Sequence, residues 1–199
     1  MKISKPEHLR GIQFVILDRD GVINRKAAES KYIFQWGDFV LLPGVESAIA
    51  ALNRSGRHVI VVTNQRGVSL CLYTLDQVVD LHTQLQHHLS RFGAHIDAFY
   101  ICPHGHNACN CRKPSTGLLE EAFRDFETAT KGNSLLIGDS LSDMQLARNF
   151  GIPSILIQNS DKNLNHNEEA AELALATAPS LWEAVNAYIC PLPPTTADC

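Results

Sequence analysis

The stretch Phe14-Val-Ile-Leu-Asp-Arg-Asp-Gly-Val-Ile-Asn24 decides how the rest of the chain is read. Its four apolar residues, Phe14 to Leu17, run straight into two carboxylates, Asp18 and Asp20, and then into Gly21. A short apolar run closed by a turn residue is the pattern of a buried parallel strand. Open α/β sheets bind ligands beyond the carboxyl ends of such strands, which is where both acids stand. Alternation at the strand end gives the two side chains a common side. Two close carboxylates repel, so the pair calls for a cation, a shared proton or a cationic substrate group. Alone, Asp-x-Asp-Gly is an ordinary strand-to-turn transition; the remaining chain decides whether it is more.

Outward from this strand, short apolar runs alternate with helical patterns, the mark of βαβ units around a parallel sheet. Strands are expected at Val59–Val62, Ile96–Ile101, Leu135–Ile137 and Ser154–Ile157. Helices are expected after Pro43-Gly44, from the Thr74 N-cap to Gly93, over Gly117–Phe126 and over Ser142–Phe150. Two more follow the last strand and a polar loop, the second ending near Ile189. Arg25 to Leu42 has no sustained period and carries Tyr32, Phe34, Trp36 and Phe39, as an ordered excursion over the strand ends, a small lid, would. The expected architecture is a doubly wound, mainly parallel Rossmann-like α/β domain over 1–190, with 191–199 as a loose Pro/Thr-rich tail.

With 199 residues, 45% apolar and 19% charged, the chain has the make-up of an ordinary globular protein. A net charge of −4 offers no basic field for nucleic acid or anionic lipid. The run His58–Thr63 is too short to span a bilayer, and Met1-Lys-Ile-Ser-Lys-Pro6 lacks an apolar signal segment. The expectation is a cytoplasmic monomer without membrane or nucleic-acid partners.

Polar residues gather at one edge of the expected sheet. The first strand delivers Asp18 and Asp20, the second Thr63, Asn64 and Gln65, the fourth Asp139 with Asp143 one helical turn on. The loop after the third brings Arg112 and Lys113. Each alone is a turn, cap or surface residue; together they are chemically complementary. Carboxylates bind a hard cation, a hydroxyl, an amide and a lysine suit phosphate oxygens, and a carboxylate can act as nucleophile.

With Asp18-Arg-Asp-Gly21, Thr63, Lys113 and Gly138-Asp-Ser-Leu-Ser-Asp143 in this order, the chain resembles the haloacid dehalogenase superfamily of phosphotransferases. The resemblance implies that Asp18 is the nucleophile and Asp20 the general acid and then base. It implies Mg²⁺ held by the Asp18 carboxylate, the Asp20 carbonyl and Asp139, with Asp143 supporting. Thr63 and Lys113 would bind the transferring phosphoryl group, with Asn64 and Gln65 beside it.

Three of the six cysteines fall within Cys102-Pro-His104 … Cys109-Asn-Cys111, a C-x-H-x₄-C-x-C pattern. In a reducing compartment such clustering favours metal over disulfides. Cys102, His104, Cys109 and Cys111 make a closed tetrahedral Zn²⁺ site of structural type, with His106 the rival to His104. Cys71, Cys190 and Cys199 are left as free thiols.

This loop, running into Arg112-Lys-Pro114, resembles the histidinol-phosphatase and heptose bisphosphate phosphatase branch, where a zinc-stabilised loop replaces a large cap domain. Arg112 would then fork onto a second phosphate while Lys113 meets the first. The implied substrate is a small phosphorylated metabolite, foremost the 7-phosphate of D-glycero-D-manno-heptose 1,7-bisphosphate in nucleotide-heptose biosynthesis. Histidinol phosphate and other small sugar phosphates are the alternatives. Ser69-Leu70-Cys71 departs from the branch's small residue, arginine and glycine, and Ser140 stands where the heptose enzymes often carry lysine. Two further readings stand against hydrolysis: an inactive zinc-loop binding module, and a phosphotransferase or mutase.

Overall fold

Each of the five expected strands is present, and all are parallel. The computed structural model describes residues 9, 11–28, 31–158 and 168–190. The expected tail 191–199, Cys199 and most of the polar loop after Ile157 lie outside the described residues. The strands are β1 (Phe14–Leu17), β2 (His58–Asn64), β3 (Ala98–Cys102), β4 (Ser134–Gly138), β5 (Ser154–Ile157) and β6 (Ala176–Ala178), in the order β3-β2-β1-β4-β5-β6. β6 was not expected: Ala-Thr-Ala has no apolar run, and this three-residue edge strand pairs with β5 and buries only Ala178 in the core. The helices are α1 (Val45–Arg54), α2 (Leu75–Ser90), α3 (Gly117–Asp125), α4 (Leu141–Phe150), α5 (Glu168–Leu173) and α6 (Leu181–Ala184), the last continued by a widened turn over Val185–Ile189.

Strand alternation splits the core into two layers. Val15, Leu17, Val59, Val61, Leu135 and Ile137 face α1, α2 and α6 through Ile49, Leu52, Leu85, Leu89 and Leu181. Phe14, Ile16, Ile60, Val62 and Leu136 face α3, α4 and α5 through Leu118, Leu119, Met144, Leu146 and Ala170. Both faces of the central strands are therefore covered, and they read as continuous apolar runs instead of alternating ones. Thr74 starts α2 with a reciprocal cap: its hydroxyl accepts from Gln77 N at 3.2 Å and its own N–H donates to Gln77 Oε1 at 2.9 Å.

Chain order reverses at β1, with β2 on one side and β4 on the other, opening a crevice beyond their carboxyl ends. Leu17 is in register with Val61 and Ile137, so Asp18 emerges into that crevice. No large cap domain is inserted among the described residues. The stretch between β1 and α1 instead lies over the crevice, its Tyr32 and Phe34 rings against Tyr73 at 5.8 and 5.0 Å and Trp36 against Phe39 at 5.5 Å. Among the described residues no helix is long and apolar enough to cross a membrane.

On α2, His82 is buried and stacked on Phe99 at 4.3 Å, with neither ring nitrogen hydrogen-bonded. Burial, aided by the Arg19 charge, pushes its pKa down to about 3. The unfolded chain titrates this ring near pH 6.5, so His82 costs no stability above that pH. Below it only the unfolded state takes up the proton, and stability is lost until pH 3 is approached. His82→Phe is expected to remove about 2 kcal/mol of the wild type's stability difference between pH 7.5 and pH 5. Urea denaturation of both proteins at the two pH values measures it; equal pH dependence would refute the role of this ring.

Candidate active site

Asp18 begins the site because its backbone is still in the sheet while its side chain is past it. Its N–H donates to Ile137 O at 3.0 Å. Its Oδ1 accepts from the Arg19 N–H at 2.7 Å and meets Lys113 Nζ at 2.7 Å. Lys113 Nζ also contacts Asp143 Oδ1 at 2.6 Å and donates to Val62 O at 3.2 Å. The lysine is set in place by Asn64, whose Oδ1 accepts from Lys113 N at 3.1 Å and whose Nδ2 donates to Lys113 O at 3.3 Å. Asp143 combines two tasks: Oδ1 faces Lys113, and Oδ2 accepts from the Ser140 N–H and hydroxyl that start α4. Gly138 allows this, since a Cβ there would lie 2.3 Å from Asp143 Cβ.

Asp139 closes the cluster. One of its oxygens takes Lys26 Nζ at 2.7 Å; the other, Oδ1, is buried with no hydrogen-bond partner. Gly21, at φ +99°, packs so closely that a Cβ would fall 1.9 Å from Asp139 Oδ2, which requires glycine twice over. Oxygens of Asp18, Asp139 and Asp143 converge within 4.8 Å. Burial pushes Asp18 up to about 7 against the pull of Lys113, with Asp143 and Asp139 adding to the rise. Burial likewise lifts Asp139 to about 6 against the pull of Lys26. On Lys113 burial opposes the charge, but Asp143 and Asp18 outweigh it and hold the pKa above its ordinary value. Converging hard oxygen donors, one of them an orphan, and carboxylates that resist ionising without more positive charge fit a small divalent cation.

Asp20 does not share this cluster, which corrects the expectation of a common side for the two acids. Both of its oxygens receive Arg19 NH2 at 2.9 Å, Oδ1 also receives Asn24 Nδ2 at 2.9 Å, and Oδ2 receives Gln65 Nε2 at 3.1 Å. Arg19 is 1% exposed and is tied to Ile33 O at 2.9 Å. Each acid thus has its own cation, Lys113 for Asp18 and Arg19 for Asp20. A cavity of about 200 Å³ opens beside Asp20, lined by Arg19, Lys26, Lys31, Tyr32, Asn64 and Gln65 among others. Thr63, buried beside it, accepts from Gln65 Nε2 at 2.9 Å.

In the cysteine loop, Cys102, Cys109 and Cys111 Sγ and His104 Nδ1 converge within 4.8 Å; His106 is not part of the group. Sulfur–sulfur separations are 3.3 to 3.6 Å, and His104 Nδ1 lies 3.3 Å from Cys111 and 3.8 Å from Cys102. A tetrahedron with bonds of about 2.3 Å has edges of about 3.8 Å, so the four atoms can hold zinc. Burial and the neighbouring thiols push Cys111 up to about 12, the penalty a bound cation would relieve. Arg112 N donates to Cys109 Sγ at 3.3 Å, and Arg112 NH1 to His104 O at 3.4 Å. The guanidinium is turned back onto the loop, outside the residues that line the cavity.

The structure brings Asp18, Lys113, Asp139 and Asp143 into one cluster and Asp20, Gln65 and Thr63 into another, with Asn64 linking them through Lys113. Sequence reasoning passed over Arg19 and Lys26. An arginine between two aspartates reads as solvated, and Lys26 lies in an aperiodic stretch; only the lid's path reveals that both reach the site. At the departure Ser69–Cys71, Cys71 has φ +55°, the left-handed region the branch's glycine adopts freely. Cys71→Gly is expected to stabilise by about 1 kcal/mol, read as an upward shift in thermal midpoint; an unchanged or lower midpoint would contradict it.

The HAD-hydrolase-like family model matches residues 110–184. The chain belongs to the haloacid dehalogenase-like hydrolases. It is 40% identical over 136 residues to the D-glycero-alpha-D-manno-heptose-1,7-bisphosphate 7-phosphatase of Mycobacterium bovis, covering 68% of this chain and 71% of that one. It is 32% identical over 185 residues to the D-glycero-beta-D-manno-heptose-1,7-bisphosphate 7-phosphatase of Photorhabdus laumondii, covering 88% and 96%. The D,D-heptose 1,7-bisphosphate phosphatase of B. bronchiseptica, solved with magnesium and phosphate, superposes with a TM-score of 0.76 at 28% identity, over 88% of this chain and 97% of that one.

Proposed function

We propose that the protein is a phosphomonoesterase that removes the 7-phosphate of D-glycero-D-manno-heptose 1,7-bisphosphate, as a single domain over 1–190 working as a cytoplasmic monomer. The observation that carries the chemistry is the separation of the two acids: Asp18 buried beside Lys113, Asp20 at the cavity wall under Arg19, Asn24 and Gln65. The names of the relatives carry the substrate.

On this reading an Asp18 oxygen attacks phosphorus as the bond to the sugar oxygen breaks, and the Asp20 carboxyl gives that oxygen its proton. Asp20, now a carboxylate, takes a proton from a water that attacks the same phosphorus. Inorganic phosphate leaves and the Asp18 carboxylate is restored. Lys113 and the Thr63 hydroxyl bind phosphoryl oxygens, and Asn64 keeps Lys113 in register. The Asp18 and Asp139 carboxylates and the Asp20 carbonyl would hold Mg²⁺, with Asp143 supporting. When bound, the ion neutralises the repulsion between the Asp18 carboxylate and the phosphate dianion.

Phosphate release from both anomers of the heptose bisphosphate and from histidinol phosphate, with and without Mg²⁺, tests the reading. The expected ranking by kcat/KM places a heptose anomer first; preference for histidinol phosphate would replace the substrate, and inertness on all three the activity. Cys109→Ser removes one of four zinc ligands and the sulfur that accepts from Arg112 N. Elemental analysis is expected to fall from about one zinc per chain to a small fraction of that. Activity falls with it, because the loop delivers Lys113; unchanged zinc content would dismiss the site.

A further inference from the structure

Asp20 is held from three directions, and one of them leads to a side chain no part of the chemistry above uses. Gln65 Nε2 donates to Asp20 Oδ2 at 3.1 Å and to Thr63 Oγ1 at 2.9 Å. Its Oε1 accepts from the Tyr73 hydroxyl at 2.8 Å. An amide side chain turned by 180° exchanges donor for acceptor, so its direction is set by whichever partner can act in only one sense. The Asp20 carboxylate, which only accepts, supplies that sense by taking an Nε2 proton, and the Tyr73 hydroxyl, which can act either way, holds the amide there by donating to Oε1. The reverse orientation would set Oε1 against the Asp20 carboxylate.

The tyrosine is itself fixed. It is 5% exposed, stacked on Phe34 at 5.0 Å and an 11° interplanar angle, and touched by Tyr32. Gly67 leaves room for its ring, since a Cβ there would fall 2.0 Å from Tyr73 Cε1. Burial raises the phenol to about 12, so it stays a donor at every working pH. Phe34 and Tyr32 belong to the lid between β1 and α1, and Gly67 and Tyr73 to the loop before α2. The chain Tyr73–Gln65–Asp20 therefore ties the packing of the lid to the plane of one carboxylate.

We propose that Tyr73 is a positioning residue for proton transfer, acting through the Gln65 amide to fix the Asp20 carboxyl toward the leaving oxygen. This rests on the reading of Asp20 as the proton donor. Leaving-group dependence tests it, because a sugar alkoxide needs a well-aimed proton and 4-nitrophenolate needs little help. kcat/KM is the quantity to measure, since it reports steps up to the first loss of leaving group. Tyr73→Phe keeps the ring and its packing and removes only the donor.

The expected result is a fall in kcat/KM of about tenfold or more for heptose 1,7-bisphosphate and about threefold or less for 4-nitrophenyl phosphate. Gln65→Leu should show the same selective loss, and the double variant should lose no more than Gln65→Leu alone, since both act through one bond. Equal falls on the two substrates, no fall, or additive losses would overturn the positioning role. Asp20→Asn separates the two claims. If it shows no leaving-group selectivity, the reading of Asp20 fails; if it does and Tyr73→Phe does not, only the role of Tyr73 fails.

Discussion

Asp18→Asn protein is expected to fold, keep its zinc and lose phosphatase activity by about 10⁴-fold or more. The amide cannot attack phosphorus to form an acyl phosphate, and among the described residues the other carboxylates of the cluster are already engaged. Asp139 is held by Lys26, and Asp143 is tied between Lys113 and the start of α4. Stability distinguishes loss of chemistry from loss of fold. With its pKa raised to about 7 by burial, the Asp18 carboxylate opposes folding above that pH, and the penalty vanishes as pH falls below the unfolded value near 3.9. Asparagine removes it. In Mg²⁺-free buffer at pH 8 the variant's thermal midpoint should equal or exceed that of wild type. A midpoint well below wild type would mean that Asp18 is structural, and retained activity would end its role as nucleophile.

Lys113→Met is expected to show the other large effect, on stability and activity together. The substitution keeps the length of the chain but leaves Asp18 and Asp143 buried with no cation between them. Breaking a buried pair by removing one partner costs about 3–5 kcal/mol, which for a domain of this size lowers the midpoint by about 10 °C. The cost has a sign in pH. Without the lysine nothing offsets the burial that raises the folded Asp18 pKa above its unfolded value. The penalty is therefore largest at alkaline pH and shrinks as pH falls and Asp18 protonates. Urea denaturation at pH 8 and pH 5 should show the gap to wild type narrowing at pH 5. Adding Asp143→Asn should recover part of the loss. A gap that ignores pH would mean that Lys113 stabilises by packing alone. Turnover should fall by about 10²-fold or more, because a phosphoryl ligand is lost as well.

The sequence was sufficient for what depends on short-range pattern. Phe14 to Leu17, Val59 to Val62 and Leu135 to Ile137 are strands buried on both faces, which leaves an apolar run no other periodicity explains. The motifs at their ends follow, because a parallel sheet delivers every strand terminus to one edge. The Cys/His cluster that could hold a metal was legible for the same reason, since all four residues lie within a ten-residue stretch. Only the choice of His104 over His106 waited for the loop's conformation.

Tertiary structure decided what depends on which distant groups share a cation or a hydrogen bond. Sequence order sets Asp18 and Asp20 side by side; the fold sends one to Lys113 and Asp143 and the other to Arg19, Asn24 and Gln65. Arg112 carries the charge expected to reach substrate, yet it is folded back on His104 O, while Lys26 and Lys31 of the lid line the cavity. Tyr73 is an unremarked loop residue in the sequence and the end of a hydrogen-bond chain in the fold. Periodicity records which side of an element is buried. It holds no information about the partner a buried polar atom finds, because that partner is set by three-dimensional proximity between segments far apart in the chain. For this protein the sequence determined the strand edge and its four motifs, and the tertiary structure gave the paired acids their separate surroundings.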